Sequence, residues 1–81
     1  MEHAAVMREI KEIIYQISGI EPEDIPDDAS LISEIGLSSF EITALLGALE
    51  ERYHTGFSAK DYQRIVSVRD LALFISAQSG E

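Results

Sequence analysis

The apolar residues of this 81-residue chain recur at helical spacing, and this pattern restricts its fold more than any other feature. In residues 2–18 the apolar positions are separated by 4, 3, 1 and 3 residues, which places them on one face of an α-helix. These positions are Val6, Ile10, Ile13, Ile14 and Ile17. No segment sustains the alternation of apolar and polar residues that is typical of a strand. The sequence therefore predicts an all-α fold.

Three further segments continue the helical pattern. Residues 39–53 carry the clearest apolar stripe, residues 59–64 form a short turn or helix, and residues 68–78 form the last helix. The apolar positions of the two longer segments are Ile42, Leu45, Leu46, Leu49 and Tyr53, followed by Val68, Leu71, Ala72 and Ile75. We expect a four-helix bundle with three main helices and one short helix.

The motif Ser-x-x-acid occurs three times, each time before an apolar stripe. In this motif the serine oxygen accepts a hydrogen bond from an amide one turn into the helix, and the acid reaches back to the cap. The three pairs are Ser38 with Glu41, Ser58 with Asp61, and Ser67 with Asp70. We expect each pair to cap the start of a helix, and Gly19 to provide a left-handed cap at the end of the first helix.

A long connection, residues 20–37, joins the first two helices. Pro22 and Pro26 exclude a regular helix there. Apolar residues nevertheless recur in the connection, namely Ile20, Ile25, Leu31, Ile32, Ile35 and Leu37. A solvated linker would not carry these side chains, so we expect the connection to pack on the core. Connections of this length within a small domain are often functional.

The length and charge of the chain restrict its number of domains and its kinds of partner. Eighty-one residues predict a single domain over residues 1–81. The 6 basic and 15 acidic residues give a formal net charge of −9, which disfavours nucleic acid and anionic membranes and favours partners with basic surfaces. No apolar run approaches the roughly 20 residues of a membrane span. No signal peptide is visible and nothing in the sequence demands an oligomer, so we expect a cytoplasmic monomer.

Several kinds of catalytic and metal site are excluded by residue type and spacing. The chain has no cysteine, so any thiol chemistry requires a thiol attached from outside. A serine nucleophile needs a nearby base, but His54 follows Ser39 by a helix length of roughly 20 Å. Asp24, Asp27 and Asp28 lack the spacing of a calcium loop. We therefore expect no catalytic residue and no metal site.

The start of the second helix presents a hydroxyl that capping does not use. Because Ser38 is the predicted cap, Ser39 takes the first helical position, beside the positive end of the helix dipole. A phosphate ester on this oxygen would be favoured by about 0.3–1 kcal/mol. Gly36 allows a sharp turn and leaves room for a partner. From the residues alone, Ser39 is either a modifiable hydroxyl or an ordinary serine of the first turn.

Between residues 28 and 57 the sequence resembles the acyl carrier proteins of the phosphopantetheine-binding family. The resemblance is carried by Asp28-Ala29-Ser30-Leu31, by Ile32-Ser33-Glu34-Ile35-Gly36-Leu37-Ser38-Ser39-Phe40-Glu41, and by Ala48-Leu49-Glu50-Glu51-Arg52-Tyr53. The family pattern has a glycine, a variable residue and then Asp-Ser-Leu at the head of the second helix. Further along, Ile65 and residues 68–75 resemble the short third helix and the closing helix of the family.

The resemblance implies that Ser39 carries 4′-phosphopantetheine, donated by coenzyme A, and that acyl intermediates are bound to the arm as thioesters. The protein would then be a carrier rather than an enzyme. Its partners would be a phosphopantetheinyl transferase and the acyl-loading and acyl-processing enzymes of fatty-acid, polyketide or related specialised biosynthesis. Family members also shelter acyl chains in the core. Two alternatives stay open, a peptidyl or aminoacyl carrier and an unmodified, carrier-like docking module.

The outward side of the second helix is the candidate docking surface. We expect Glu41, Glu50 and Glu51 to form an acidic face that meets basic partner surfaces. The complete set of expected docking residues is Phe40, Glu41, Ala44, Gly47, Glu50 and Glu51. Such charged contacts mainly speed and orient the encounter, and they weaken as salt rises.

Four positions depart from the family pattern. Ser38 replaces the usual aspartate, which keeps a capping side chain but removes one negative charge. Phe40 replaces the usual leucine, and Ala44 and Gly47 stand where many fatty-acid carriers have an acid and a larger apolar residue. These departures predict a specialised carrier rather than a housekeeping carrier of fatty-acid synthesis.

Overall fold

The computed structural model describes residues 3–78, and this part of the chain contains four α-helices and no strand. The helices are α1 (His3–Ser18), α2 (Ser39–Tyr53), α3 (Ala59–Arg64) and α4 (Val68–Gln78). One turn of 3₁₀ helix, Pro22–Asp24, interrupts the connection between α1 and α2. The predicted all-α fold and helix order are confirmed, and only the predicted helical start at residue 2 lies outside the described residues.

The three longer helices supply the core. Helix α1 packs against both α2 and α4. Their buried side chains are Val6, Ile10 and Ile14 of α1, Leu45, Leu46 and Leu49 of α2, and Val68, Leu71, Ala72 and Ile75 of α4. Each buried leucine or isoleucine stabilises the fold by roughly 1.5–3 kcal/mol. Within the described residues, no helix combines the length and apolarity needed to cross a membrane.

The helix ends follow the predicted local signals. Both hydrogen bonds of a capping box are present in the pairs Ser38 with Glu41, Ser58 with Asp61, and Ser67 with Asp70. Gly19 follows α1 with a φ of +80°, in the left-handed region that favours glycine. His54 ends α2 in a left-handed conformation with a φ of 53°. Contacts between residues close in the sequence therefore define these helix ends.

The connection between α1 and α2 packs on the core, as predicted, with one exception. Ile25, Leu31 and Leu37 are buried, whereas Ile32 is exposed. Ile32 lies in a turn in which its neighbour Leu31 takes the core position, so its own side chain points away from the core. The expectation that Ile32 is buried was therefore wrong.

Backbone hydrogen bonds hold the connection against the junction between α3 and α4. The Leu31 N–H donates to the Val66 carbonyl at 2.9 Å, and the Arg69 N–H donates to the Asp27 carbonyl at 3.0 Å. Within the connection, the Leu37 N–H donates to the Leu31 carbonyl at 2.8 Å. The connection is thus a fixed part of the fold, and it sets the point at which α2 begins.

Ion pairs also link the connection to α1 and to α4. Lys11 Nζ lies 2.7 Å from Asp27, and Arg69 Nε donates to Asp28 at 2.7 Å. The hydrogen bond that Arg69 donates to Asp28, followed by the negative charge of Asp28, raises the pKa of Arg69 above its ordinary value. Because these side chains are partly or largely exposed, we assign the pairs a small share of the stability.

Two hydrogen bonds and one stacked pair of aromatic rings hold the turn between α2 and α3 in place. Glu50 Oε2 accepts a hydrogen bond from the Phe57 N–H at 2.8 Å. The Phe57 ring stacks on Phe74 of α4, with ring centroids 4.7 Å apart. At the end of α4, Gln78 Oε1 accepts from the Gly56 N–H at 3.3 Å. These contacts fix the start of α3, which has no buried residue of its own.

Candidate functional site

The capping box defines the head of α2. Ser38 has an extended backbone, with φ −76° and ψ 165°, and its Oγ accepts a hydrogen bond from the Glu41 N–H at 3.1 Å. In return, Glu41 Oε1 accepts from the Ser38 N–H at 2.8 Å. A capping serine typically stabilises its helix by about 1 kcal/mol relative to alanine. The hydroxyl of Ser38 is thus used by the fold, and the helix begins at the next residue.

Ser39 is the first residue of α2 and is exposed. Its hydroxyl has no hydrogen-bond partner in the range 3–78, while its carbonyl accepts from Thr43 Oγ1 at 2.9 Å. The amide groups of a first helical turn lack partners within the helix and give this end a partial positive charge. Ser39 therefore offers an open hydroxyl at a place that stabilises a negatively charged group.

The turn before the cap depends on Gly36. Its φ of +90° lies in the left-handed region, which L side chains rarely adopt. A Cβ at this position would meet no atom within 4 Å, so backbone conformation rather than crowding calls for glycine. The predicted sharp turn is confirmed, and the space beside it is open.

Neither His54 nor a metal-binding group lies beside Ser39 in the part of the chain that the structure describes. His54 lies at the opposite end of α2, roughly 20 Å away for a helix of this length. Within residues 3–78, no three His, Cys, Asp or Glu side chains are grouped so that they could hold a metal ion. His54 is therefore too far from Ser39 to form a hydrogen bond with its hydroxyl.

The predicted docking residues differ in their exposure. Phe40, Gly47 and Glu51 are exposed, and their spacing places them on one side of α2. Ala44 is half-buried and lies beside Ile13 of α1 in a shallow groove. The side of α2 that faces solvent therefore combines an aromatic ring next to Ser39 with a glycine and a carboxylate further along.

Glu41 and Glu50 are not freely outward-facing, contrary to expectation. Both are half-buried. The Glu41 carboxylate accepts from the Ser38 N–H, and the Glu50 carboxylate accepts from the Phe57 N–H. Of the three glutamates expected on an acidic face, Glu51 alone is exposed without an intramolecular partner among the described residues. The helical periodicity of α2 could not predict that Glu50 is half-buried, since its hydrogen bond with the Phe57 N–H depends on how the next loop folds back.

An apolar cavity lies between α2, the α3–α4 junction and the long connection. Ile42 and Leu46 line its wall, while Ile32, Tyr62 and Val66 are exposed at its rim. Its volume of about 30 Å³ holds a water molecule but is far too small for an acyl chain. No periodic pattern in the sequence marks the three rim residues, because they come from the long connection, from α3 and from the α3–α4 junction.

Comparison with known proteins agrees with this architecture. A family model described as "Phosphopantetheine attachment site" matches residues 8–75, which include the whole of α2 and its cap. The acyl carrier protein of Solidesulfovibrio magneticus is 32% identical over 77 residues, covering 95% of this chain and 99% of that protein.

Two further relatives carry the same name. The acyl carrier protein of Nitratidesulfovibrio vulgaris is 29% identical over 72 residues, covering 89% of this chain and 95% of that protein. The acyl carrier protein of Bdellovibrio bacteriovorus is 28% identical over 71 residues, covering 88% of this chain and 91% of that protein. The cofactor of such carriers is 4′-phosphopantetheine. The chain therefore belongs to the phosphopantetheine-binding family and, within it, to the acyl carrier proteins.

Proposed function

We propose that Ser39 is the attachment residue for 4′-phosphopantetheine in this chain. The observation that carries the proposal is the division of roles between the two adjacent serines. The hydroxyl of Ser38 is held in the capping box, whereas the exposed hydroxyl of Ser39 has no partner within residues 3–78. The match to the attachment-site family covers residues 8–75, which include both serines, and supports an attachment site within this range.

The environment of Ser39 suits a phosphodiester. The first turn of α2 directs its unpaired amide groups toward this end of the helix, where they favour an anionic group by about 0.3–1 kcal/mol. Glu41, the nearest acid in the first turn, has its carboxylate bonded to the Ser38 N–H. The open space beside Gly36 leaves a path for a partner enzyme to reach the hydroxyl.

The modification joins Ser39 Oγ to the phosphate of the pantetheine portion of coenzyme A. The new P–O bond forms as the bond from that phosphorus to the adenosine bisphosphate breaks, and the hydroxyl proton passes to a base on the transferase. The chain contributes the nucleophile and the helix end, and the transferase contributes the base. When bound, the cofactor supplies a thiol that carries acyl groups as thioesters, a group that this chain lacks because it has no cysteine.

The chain then acts as a substrate of other enzymes rather than as a catalyst. Its partners are a phosphopantetheinyl transferase and enzymes that load and process acyl groups, with docking on the exposed side of α2. The net charge of −9 supports partners with basic surfaces, because charges of opposite sign speed the encounter. The names of the relatives support acyl cargo over peptidyl or aminoacyl cargo.

The remaining expectations are part of the same proposal. We place the carrier in the cytoplasm, as a monomeric single domain that serves fatty-acid, polyketide or related biosynthesis. The departures at Ser38, Phe40, Ala44 and Gly47 support a specialised role. Recovery of the ordinary fatty-acyl series as the cargo of the purified native protein would contradict the specialised role, without affecting the attachment site.

Intact-protein mass spectrometry tests the attachment residue. The protein is incubated with coenzyme A and a broad-specificity phosphopantetheinyl transferase, beside the Ser39→Ala and Ser38→Ala variants. We expect the mass of one phosphopantetheine to be added to the wild type and to Ser38→Ala, but not to Ser39→Ala. Circular dichroism verifies that each variant is folded. A gain in mass that persists in Ser39→Ala, or no gain by the folded wild type with several transferases, would refute the proposal.

A further inference from the structure

The hydroxyl of Ser38 has a proton that the fold does not use. Its oxygen accepts a hydrogen bond from the Glu41 N–H at 3.1 Å, and this bond completes the cap of α2. A serine hydroxyl can also donate one hydrogen bond, because its proton rotates toward an available acceptor. Among residues 3–78, the Ser38 Oγ–H donates to no acceptor, and the side chain is exposed. Ser38 therefore keeps an unused donor beside Ser39.

The capping box of α3 shows that this feature is not common to every cap. Ser58 Oγ accepts from the Asp61 N–H at 3.3 Å, just as Ser38 Oγ accepts from the Glu41 N–H. Ser58 Oγ also donates to Asp61 Oδ2 at 2.9 Å, so its proton is used within the box. In the box of α2, the Glu41 carboxylate accepts from the Ser38 N–H and not from the Ser38 hydroxyl.

A negative group on Ser39 would depend on hydrogen-bond donors rather than on a neighbouring cation. No lysine or arginine lies between Ser39 and Glu51, and the nearest basic residue along the chain is Arg52, at the other end of α2. Arg52 is itself paired with Glu9 at 2.6 Å. The N–H groups of Ser39 and Phe40, the first two of α2, donate to no acceptor within the described residues. The Ser38 hydroxyl adds a side-chain donor to these two backbone donors.

We propose that the Ser38 hydroxyl donates a hydrogen bond to the phosphodiester of 4′-phosphopantetheine on Ser39. The residue that caps α2 then also positions the phosphate of the cofactor. This inference rests on the proposed function, because it requires the cofactor to be attached to Ser39. Neighbouring Cα atoms are about 3.8 Å apart, which brings a phosphate bonded to Ser39 Oγ near the side chain of Ser38. A hydrogen bond to an anionic oxygen is shorter and stronger than one between neutral groups.

An aspartate at position 38, as in the family pattern, could not make this bond. An ionised carboxylate accepts hydrogen bonds but donates none, although it caps a helix about as well as serine does. It would also add a second negative charge beside the carboxylate of Glu41, which lies 2.8 Å from the Ser38 nitrogen. Serine at this position therefore keeps the cap and replaces a repulsive charge with a donor.

Three substitutions at position 38 separate the donor from the cap. Ser38→Thr keeps the hydroxyl, Ser38→Gly removes it without adding a charge, and Ser38→Asp replaces it with a carboxylate. The equilibrium constant for unfolding is measured in urea for the apo and the holo form of each protein. The ratio of the apo constant to the holo constant reports the stabilisation by the cofactor, and the effect of the cap itself cancels in this ratio.

The proposal predicts the order of these ratios. The ratio should be about the same in wild type and Ser38→Thr, because both have a hydroxyl at position 38. In Ser38→Gly it should fall by about threefold to tenfold, the effect of one net hydrogen bond. In Ser38→Asp it should fall further, since the carboxylate repels the phosphodiester.

Ser58→Gly is the matched control. It removes the capping serine of α3, so it should destabilise the apo and holo forms equally and leave their ratio unchanged. Phosphorus NMR of the holo protein gives a second measurement that capping alone does not determine. The phosphodiester resonance should move between the native and the urea-unfolded protein in wild type and Ser38→Thr, and it should move less in Ser38→Gly.

The outcomes distinguish this inference from the attachment site. Equal ratios in wild type and Ser38→Gly, a ratio in Ser38→Thr as low as that in Ser38→Gly, or the same fall in Ser58→Gly would each overturn the role of the Ser38 hydroxyl. If the wild type is modified at Ser39 and the ratios do not differ, only this inference fails. If the folded wild type takes up no cofactor at Ser39, both proposals fall.

Discussion

Gly36 and Gly47 should respond to the same substitution with opposite signs. Gly36 has a φ of +90°, whereas Gly47 lies within the regular helix α2. An added Cβ would meet no atom within 4 Å at either position, so neither change introduces a clash. The two sites therefore isolate the effect of backbone conformation from that of packing.

The magnitudes follow from this difference. Gly36→Ala forces an L residue to remain in the left-handed region, which costs about 1–2 kcal/mol. Gly47→Ala improves the helix propensity of α2 and removes conformational freedom from the unfolded chain, which stabilises the fold by about 0.5–1 kcal/mol. For a domain of this size, 1 kcal/mol changes the melting temperature by roughly 4–8 °C.

Urea unfolding followed by circular dichroism measures both effects. We expect a lower midpoint for Gly36→Ala and a higher midpoint for Gly47→Ala, with unchanged slopes because neither variant alters the surface buried on folding. Wild-type stability in Gly36→Ala would refute the assignment of conformational strain. A loss of stability in Gly47→Ala would show that α2 has a contact at this position that the structure does not contain.

Two further substitutions test the core and the ion pairs. Leu49→Ala removes a fully buried side chain from α2 and should lower the free energy of unfolding by about 2–5 kcal/mol. In the same urea assay the exposed Thr43→Ala should change it by less than about 0.5 kcal/mol. Arg69→Gln should lower the melting temperature slightly, and less so in high salt. Because folding raises the pKa of Arg69, the ion pair contributes its full stabilisation at pH values below the ordinary arginine pKa. This stabilisation is lost as the pH rises through the raised pKa. Melting curves of wild type and Arg69→Gln should therefore differ by a constant amount around neutral pH, and a difference that changes there would contradict this contact.

Local signals predicted most of the fold. The capping box of Ser38 and Glu41 involves residues three positions apart, so the sequence contains both partners. The left-handed turns at Gly19 and Gly36 depend on the backbone freedom of a single residue. The position of Ser39 in the first turn of α2 follows directly from the role of Ser38 as the cap.

Tertiary contacts account for what the sequence did not predict. Glu50 fits the outward side of a regular helix, but its carboxylate binds the Phe57 N–H because the next loop folds back over it. Ile32 lies in a connection without a period, so no pattern could separate it from its buried neighbour Leu31. The rim of the apolar cavity was missed for the same reason, since Ile32, Tyr62 and Val66 come from three segments that only the folded chain brings together.

The capping box at the head of α2 joins residues close in sequence, whereas the contact beside the cavity joins residues far apart in sequence. The bonds that define the position of Ser39 join Ser38 and Glu41, whereas the cavity is closed by the bond between Leu31 and Val66, which lie far apart in the sequence. A displacement of α3 that widened the cavity would break the second kind of bond and leave the first intact. Under the proposal for Ser39, the capping box would hold the root of the arm in place even where the contact between the connection and the α3–α4 junction opened.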